Sequence, residues 1–156
     1  MDPSDRSVPG RVDDPALRDA AEITARVEAD EAAAASAREE YRVHGLPELL
    51  VDQAPPLRPN ERIHAARRGA LVERSTTTGT PTGPTAGSLW LTSERIMHDA
   101  SSEIAVELDD IDEMAISMGR LLLIRLHDGS NWAIEADQPR LLRVQIAAFL
   151  ENRRRA

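Results

Sequence analysis

The feature that most constrains the fold of this chain is a series of short apolar runs between Gly87 and Ile134. The runs are separated by turn residues, among them the Asp128-Gly129 pair, which is typical of tight β-hairpins. Within runs such as Ile104–Leu108, apolar side chains occupy every second position, so they share one face of a strand. This pattern predicts an antiparallel sheet. It indicates a fold rather than a reaction.

The same reasoning extends the sheet to seven strands. Leu121 and Leu123 add apolar side chains to the second face of the sixth strand, so we expect that strand to be central and covered on both faces. A Thr-rich loop at Ser75–Ala86 separates the first two strands. The predicted strands are Ile63–Arg67 with an extension towards Val72, Ser88–Thr92, Arg95–Asp99, Ala105–Leu108, Asp112–Met118, Leu121–His127 and Trp132–Ala136.

A long helix is predicted before the sheet. Asp14 suits the N-cap and Pro15 the first helical position, and the Ala-, Glu- and Arg-rich segment that follows should run to Val43 and stop at Gly45. Its thin apolar seam consists of Ala20, Ile23, Val27, Ala34, Ala37 and Tyr41. Asp30 interrupts that seam, which argues against a stable independent coiled coil. The helix can lie against the domain, pair weakly with another chain or project into solvent, and we expect it to be mobile or partner-dependent.

A second helix is predicted after the last strand. Asp137 can serve as its N-cap, and the helix should extend over residues 138–152. Its broad apolar stripe should close over the sheet. The residues expected on the opposite face are Arg140, Arg143, Ala147 and Glu151.

The chain therefore divides into four segments: a disordered tail at 1–12, an acidic Ala-rich helix at 13–45, a proline-rich linker at 46–59 and a main domain at 60–156. Residues 1–54 hold 13 acidic residues and 6 arginines, whereas residues 55–156 hold 14 and 13. Neither part has the basic face of a duplex-DNA binder, so we expect no nucleic-acid partner. All 19 basic residues are arginine, which indicates a GC-rich, bacterial genome.

Composition also excludes several kinds of chemistry. The chain has no cysteine, so thiolate nucleophiles and Cys-ligated zinc are excluded. No signal-peptide pattern and no apolar run of about 20 residues is present, and we expect a cytoplasmic protein. The histidines with strand positions, His64, His98 and His127, lack metal-site spacing. The acidic cluster of Asp109, Asp110, Asp112 and Glu113 is interpreted as turn residues around a core isoleucine. We therefore expect no catalytic residue, metal or cofactor.

Two segments carry a family resemblance. Gly87–His98 (GSLWLTSERIMH) resembles the Gly-x-Leu-Tyr-x-Thr-x-x-Arg/His-Ile core of GRAM and bacterial pleckstrin-homology-like domains. Asp109–Glu113 (DDIDE) is similar to the turn that follows the next strand in that family. The resemblance covers about residues 57–150. It implies an α+β, mainly β fold: a seven-stranded antiparallel barrel capped by a C-terminal helix, here preceded by the long N-terminal helix.

The resemblance and the absence of a catalytic constellation together predict a non-enzymatic binding or scaffolding module. Protein–protein interaction through the domain and the N-terminal helix, including self-association, is the favoured function, with an extended peptide adding a strand beside the C-terminal helix. The alternative is peripheral binding to anionic membrane lipid. The resemblance implies that Arg67, Arg68 and Arg74, which flank the Thr-rich loop, would hold the lipid head group.

Overall fold

The computed structural model describes residues 14–99 and 103–155, and its centre is an antiparallel sheet of seven strands. The strands are β1 Ile63–Ser75, β2 Thr85–Thr92, β3 Arg95–Asp99, β4 Glu103–Glu107, β5 Ile111–Ser117, β6 Leu121–Leu126 and β7 Asn131–Glu135. The helices are α1 Pro15–His44 and α2 Pro139–Arg155, and a 3-10 turn at Leu108–Asp110 joins β4 to β5. The strand order is β4-β3-β2-β1-β7-β6-β5. The predicted fold class, including both helices, is confirmed.

The core lies between the inner face of the sheet and α2. Leu122 and Ile124 of β6 point inward and are fully buried, and Leu142 and Ile146 of α2 pack into the same cluster. The apolar stripe of α2 therefore closes the sheet, as its helical spacing predicts. Burial of such side chains contributes roughly 1.5–3 kcal/mol each to folding.

The first strand is longer than its sequence pattern indicates. β1 continues to Ser75, and its register with β2 shifts between Arg67 and Ala70. Gly69 lies in this shift with φ of 63°, a conformation that an L side chain rarely adopts. The glycine thus allows a bulge within a strand that pairs with β2 on both sides of the bulge and with β7 from Leu71 onward.

The expectation that β6 is covered on both faces is wrong. Leu121 is only half-buried and Leu123 is 36% exposed. Both side chains lie on the face opposite to that of the buried Leu122 and Ile124. The apolar character of that face therefore does not mark a second buried layer.

The sequence also assigns the wrong N-cap to α2. Asp137 is exposed, and the only hydrogen bond that the described residues give it is at its backbone carbonyl. The cap comes from α1 instead, because Asp30 accepts hydrogen bonds from the backbone N–H groups of Arg140 at 2.9 Å and Leu141 at 3.1 Å. Asp30 is only 3% exposed. The residue that interrupts the apolar seam of α1 is thus the one that docks it.

Docking divides α1 into two halves. Val27, Ala34 and Tyr41 are buried or half-buried beside α2, whereas every residue from Pro15 to Arg26 is exposed, including Ile23 at 60%. Asp14 caps the first turn by accepting from the Ala16 N–H, as predicted. At 1.5 Å per residue, the exposed segment Pro15–Arg26 is about 18 Å long. The helix is therefore both part of the domain and a projecting arm.

Removal of the Asp30 carboxylate should loosen α1 from the domain. We expect Asp30→Ala to lower the free energy of unfolding by about 2–3 kcal/mol, because two N–H groups lose their cap and Arg140 loses an ion-pair partner. Asp30→Asn, which keeps an acceptor oxygen, should lose less. Urea unfolding measures both, with the exposed Asp19→Asn as the matched control. Equal stability of Asp30→Ala and the control would contradict the capping role.

A second buried carboxylate should make stability depend on pH. Glu61 is 5% exposed and accepts hydrogen bonds from Arg95 Nε at 3.0 Å and Thr92 Oγ1 at 2.7 Å. Burial alone would raise the pKa of Glu61, but the hydrogen bonds from Arg95, from the Arg58 amide and from Thr92 together lower that pKa. Because the folded-state pKa is below the unfolded one, the ionised group stabilises the fold above about pH 4.5.

We therefore expect the stability difference between the native chain and Glu61→Gln to be about 2–3 kcal/mol at pH 7. The difference should shrink as the pH falls through the folded-state pKa of Glu61. Chemical unfolding at several pH values between about 3 and 7 measures it, with exposed Glu28→Gln as the control. A difference that does not change with pH would show that the charge of Glu61 is not what stabilises the network.

Candidate functional site

A cleft of about 950 Å³ lies between α1, α2 and the end of β5. We call it the helix cleft. Ala34 of α1 and Ala147 of α2 lie in its walls, and Ile116 of β5 lines its end. Its charged lining residues are Glu31, Arg38, Arg42, Arg140, Arg143 and Glu151.

The arginines of the helix cleft are not equally engaged. Arg140 donates to the Gly119 carbonyl at 3.0 Å and lies 3.5 Å from Asp30, and Arg42 pairs with Glu39 at 2.6 Å. Arg38 and Arg143 are exposed and have no ion-pair partner within residues 14–99 and 103–155. One comes from each helix, so the cleft presents two unpaired guanidinium groups in a chain of net charge −8. Such groups bind carboxylate or phosphate oxygens bidentately.

The helix cleft ends at an unpaired strand edge. β5 pairs with β6 on one side, and no strand in the described residues pairs with its other side. Alternate residues of such an edge direct backbone N–H and C=O groups away from the sheet. Ile116 places the cleft at the carboxyl end of this edge. The site thus combines backbone hydrogen-bonding groups with cationic side chains.

Arg38 and Arg143 were not predicted as site residues from the sequence. The helical spacing of α2 predicts that Arg143, with Arg140, Ala147 and Glu151, lies on the face away from the sheet. In the structure α1 packs against this face, so the residues line a cleft between two helices. The available signal was the run of small residues on both helices, Ala33–Ala35 and Ala147-Ala148, which allows two helices to approach closely.

Of the arginines predicted to bind lipid, Arg67 is used within the fold. Its Nε donates to the Asp137 carbonyl at 2.7 Å, and its Nη2 donates to Gln145 Oε1 at 3.1 Å. Gln145 in turn donates to the Tyr41 hydroxyl at 3.4 Å, so this side chain links β1, α2 and α1. Burial lowers the pKa of Arg67, while the nearby carboxylates of Asp30 and Asp137 act in the opposite direction.

The other two arginines lie apart from each other. Arg68 is exposed, stands next to the bulge at Gly69, and has no ion-pair partner in the part of the chain that the structure describes. Arg74 lies at the start of the Thr-rich loop, where its backbone N–H and C=O bind Thr82. The loop connects β1 to β2, as predicted, but the three arginines do not form one cluster beside it.

The histidines and the acidic cluster have structural contacts. His64 packs edge-on against Phe149 with ring centroids 4.8 Å apart, and His98 is fully buried with Nε2 donating to the Ala70 carbonyl at 3.0 Å. His127 is exposed, 3.7 Å from Asp112. Asp109 pairs with Arg153. Within the described ranges, no group of three or more acidic or histidine side chains is placed to hold a metal ion.

Comparison with known proteins gives the fold. No protein-family model matches the chain, and no curated protein matches it. Among solved structures, the N-terminal PH domain of Vps36 matches with a TM-score of 0.53 and 16% identity, covering 70% of this chain and 93% of that one. The C-terminal domain of an unknown protein from Leishmania infantum matches with a TM-score of 0.43 and 11% identity over 59% and 87%.

The first of these matches and the sheet described above establish the architecture. No described helix is long and apolar enough to span a membrane. The chain has a pleckstrin-homology-like fold.

Proposed function

We propose that this protein is a non-catalytic binding module whose helix cleft binds an extended acidic segment of a partner protein. The observation that carries the proposal is the pair of unpaired guanidinium groups, Arg38 on α1 and Arg143 on α2, on opposite walls of one cleft. The local positive charge is notable because the chain as a whole is acidic. Acidic side chains on a partner would supply the missing counter-charges.

The edge of β5 supports an extended rather than a helical ligand. A peptide that adds a strand to this edge gains main-chain hydrogen bonds, while every second side chain points to one side. From the carboxyl end of β5, near Ile116, the side chains on one side would face Arg38 and Arg143. The backbone would thus provide affinity and the arginines selectivity for acidic residues.

Docking of α1 is part of this proposed site, because α1 supplies one wall and Arg38. The exposed half of the same helix, Pro15–Arg26, offers a further surface for a partner or for a second copy of the chain. The seam residues of this half are only Ala20 and Ile23, of which Ile23 is 60% exposed. The helix cleft has the more specific chemistry and is therefore the proposed primary site.

Binding of anionic lipid remains the alternative proposal. Its support is the exposed, unpaired Arg68 and the location of Arg74 at the β1–β2 loop. The engagement of Arg67 with Asp137 and Gln145 leaves two of the three arginines for a head group. At about 1 kcal/mol for each basic residue near an anionic surface, two arginines give only weak attraction.

A peptide titration tests the proposed site. The probe is a fluorescein-labelled eight-residue peptide of alternating Glu and Val, compared with one of alternating Gln and Val. We expect the acidic peptide to bind more tightly than the Gln peptide. The double variant Arg38→Gln/Arg143→Gln should reduce the affinity for the acidic peptide by roughly tenfold, since each exposed charge pair contributes up to about 1 kcal/mol. Fluorescence anisotropy at two salt concentrations measures both effects, and salt should weaken the acidic peptide only.

Arg68→Gln is the matched control, because it removes an equally exposed arginine outside the helix cleft. If Arg68→Gln reduces the affinity for the acidic peptide as much as the double variant does, the affinity depends on the net charge of the chain and the assigned site is wrong. Co-sedimentation with vesicles of phosphatidylserine and phosphatidylcholine tests the alternative. Stronger binding to anionic than to neutral vesicles, lost in Arg68→Gln, would favour lipid over peptide.

A further inference from the structure

A second cleft, of about 930 Å³, lies on the outer face of β1, β2 and β3. The strand register arranges this face in two rows. Ala66 pairs with Trp90, and Trp90 pairs with Met97, so these three side chains form an apolar row across the strands. Ala66 and Trp90 line the cleft. The row supplies a flat apolar floor.

The neighbouring row is polar. Ser88 pairs with Asp99, and each lies two residues from the apolar row on its own strand. Arg68 follows Ala66 by two residues and lines the same cleft. Arg68 on β1, at the register shift between Arg67 and Ala70, and Asp99 on β3 therefore lie on either side of β2, a cation on one side and an anion on the other. At about 4.8 Å between neighbouring strands, the backbones of the two charged residues are roughly 10 Å apart.

The connector before β1 forms the remaining wall. Residues 50–55 line the cleft between two anchored points: the Leu49 N–H donates to the Ile63 carbonyl at 2.8 Å, and Arg95 Nη2 donates to the Pro56 carbonyl at 3.3 Å. Between these anchors, residues 50–55 make no hydrogen bond to the rest of the described chain. We call this segment the strap and the space beside it the strap cleft. A wall held only at its ends can move to admit a ligand.

Three polar groups of the strap cleft lack partners. The Trp90 Nε1 is buried and has no hydrogen-bond partner, which costs about 1–3 kcal/mol unless something occupies the site. Arg68 and Asp99 are exposed and form no ion pair within the described ranges, although both line this cleft. A buried donor and two separated opposite charges, all beside one apolar floor, are typical of a ligand site with a few convergent polar groups.

The balance of charge narrows the ligand class. The charged residues of the strap cleft are two arginines, Arg67 and Arg68, and two aspartates, Asp52 and Asp99. A simple anion would be repelled by the aspartates and a simple cation by the arginines. A molecule that carries both charges can place its anionic group near the arginines and its cationic group near the aspartates. The Ala66–Trp90 floor adds a preference for an apolar body.

We propose that the strap cleft binds a small zwitterion with an apolar body, of which a free apolar α-amino acid is the simplest example. Its carboxylate accepts from the Arg68 guanidinium, and its ammonium group donates to Asp99. Its side chain packs on Ala66 and the Trp90 ring beneath the strap. This site is separate from the helix cleft, so it stands or fails independently of the proposed function.

The indole resonance of Trp90 provides a direct probe. The chain has two tryptophans, and Trp132→Phe assigns the two indole N–H signals in a proton–nitrogen correlation spectrum. We expect L-leucine, titrated to about 10 mM, to shift the Trp90 signal and the shift to reach saturation. N-acetyl-leucine, which lacks the ammonium group, and leucinamide, which lacks the carboxylate, should each bind at least roughly fivefold more weakly, as expected from the loss of one charged contact.

Two variants assign the contacts. Arg68→Gln should weaken the binding of leucine at least about fivefold without further weakening the binding of leucinamide, which lacks the carboxylate. Asp99→Asn should weaken the binding of leucine without further weakening that of N-acetyl-leucine, which lacks the ammonium group. Both side chains are exposed, so neither variant should unfold the chain. Arg143→Gln is the control outside the strap cleft. A Trp90 signal that leucine does not move, or equal shifts by all three compounds in every variant, would overturn the proposal.

Discussion

The hydrogen bonds that Asp30 accepts from the first turn of α2 are the contact on which the arrangement of the helices depends. A helix N-terminus leaves four backbone N–H groups without intrahelical partners. Here the Asp30 carboxylate binds the N–H groups of Arg140 and Leu141 and also faces the Arg140 guanidinium. A buried carboxylate is tolerated when its oxygens are this well satisfied. The same contact fixes α1 to α2, and α2 closes the core.

The sheet could be read from the sequence because its signals are local. Alternating apolar side chains and the Asp128-Gly129 turn depend only on neighbouring residues, and Asp14 and Pro15 mark the start of α1 within two positions. Asp30 gives no such signal, because its partner Arg140 lies 110 residues away. In the sequence of α1 alone, Asp30 only interrupts an apolar seam. Its role follows from the packing of two helices, which no spacing within either helix specifies.

The candidate sites were difficult to predict for the same reason. Arg143 has the spacing of a solvated residue on α2 and lines a cleft only because α1 lies beside it. Arg67 is of a residue type that binds phosphate and precedes a loop in the sequence, yet its guanidinium donates to the Asp137 carbonyl and to Gln145. Both clefts are completed by residues before β1: α1 forms a wall of one, and the strap at 50–55 forms a wall of the other. The chain before the sheet thus shapes the surface that the sheet supports.

The exclusive use of arginine has a consequence for how ligand binding would respond to proton concentration. The ionisable groups that line the helix cleft are arginines, two glutamates and Tyr41, and those that line the strap cleft are arginines and aspartates. The ordinary pKa values of these side-chain types lie well away from neutral pH. Histidine is the side chain whose ordinary pKa lies between about pH 6 and pH 8, and neither cleft is lined by one. A change in affinity within that window would therefore report a titrating group on the ligand.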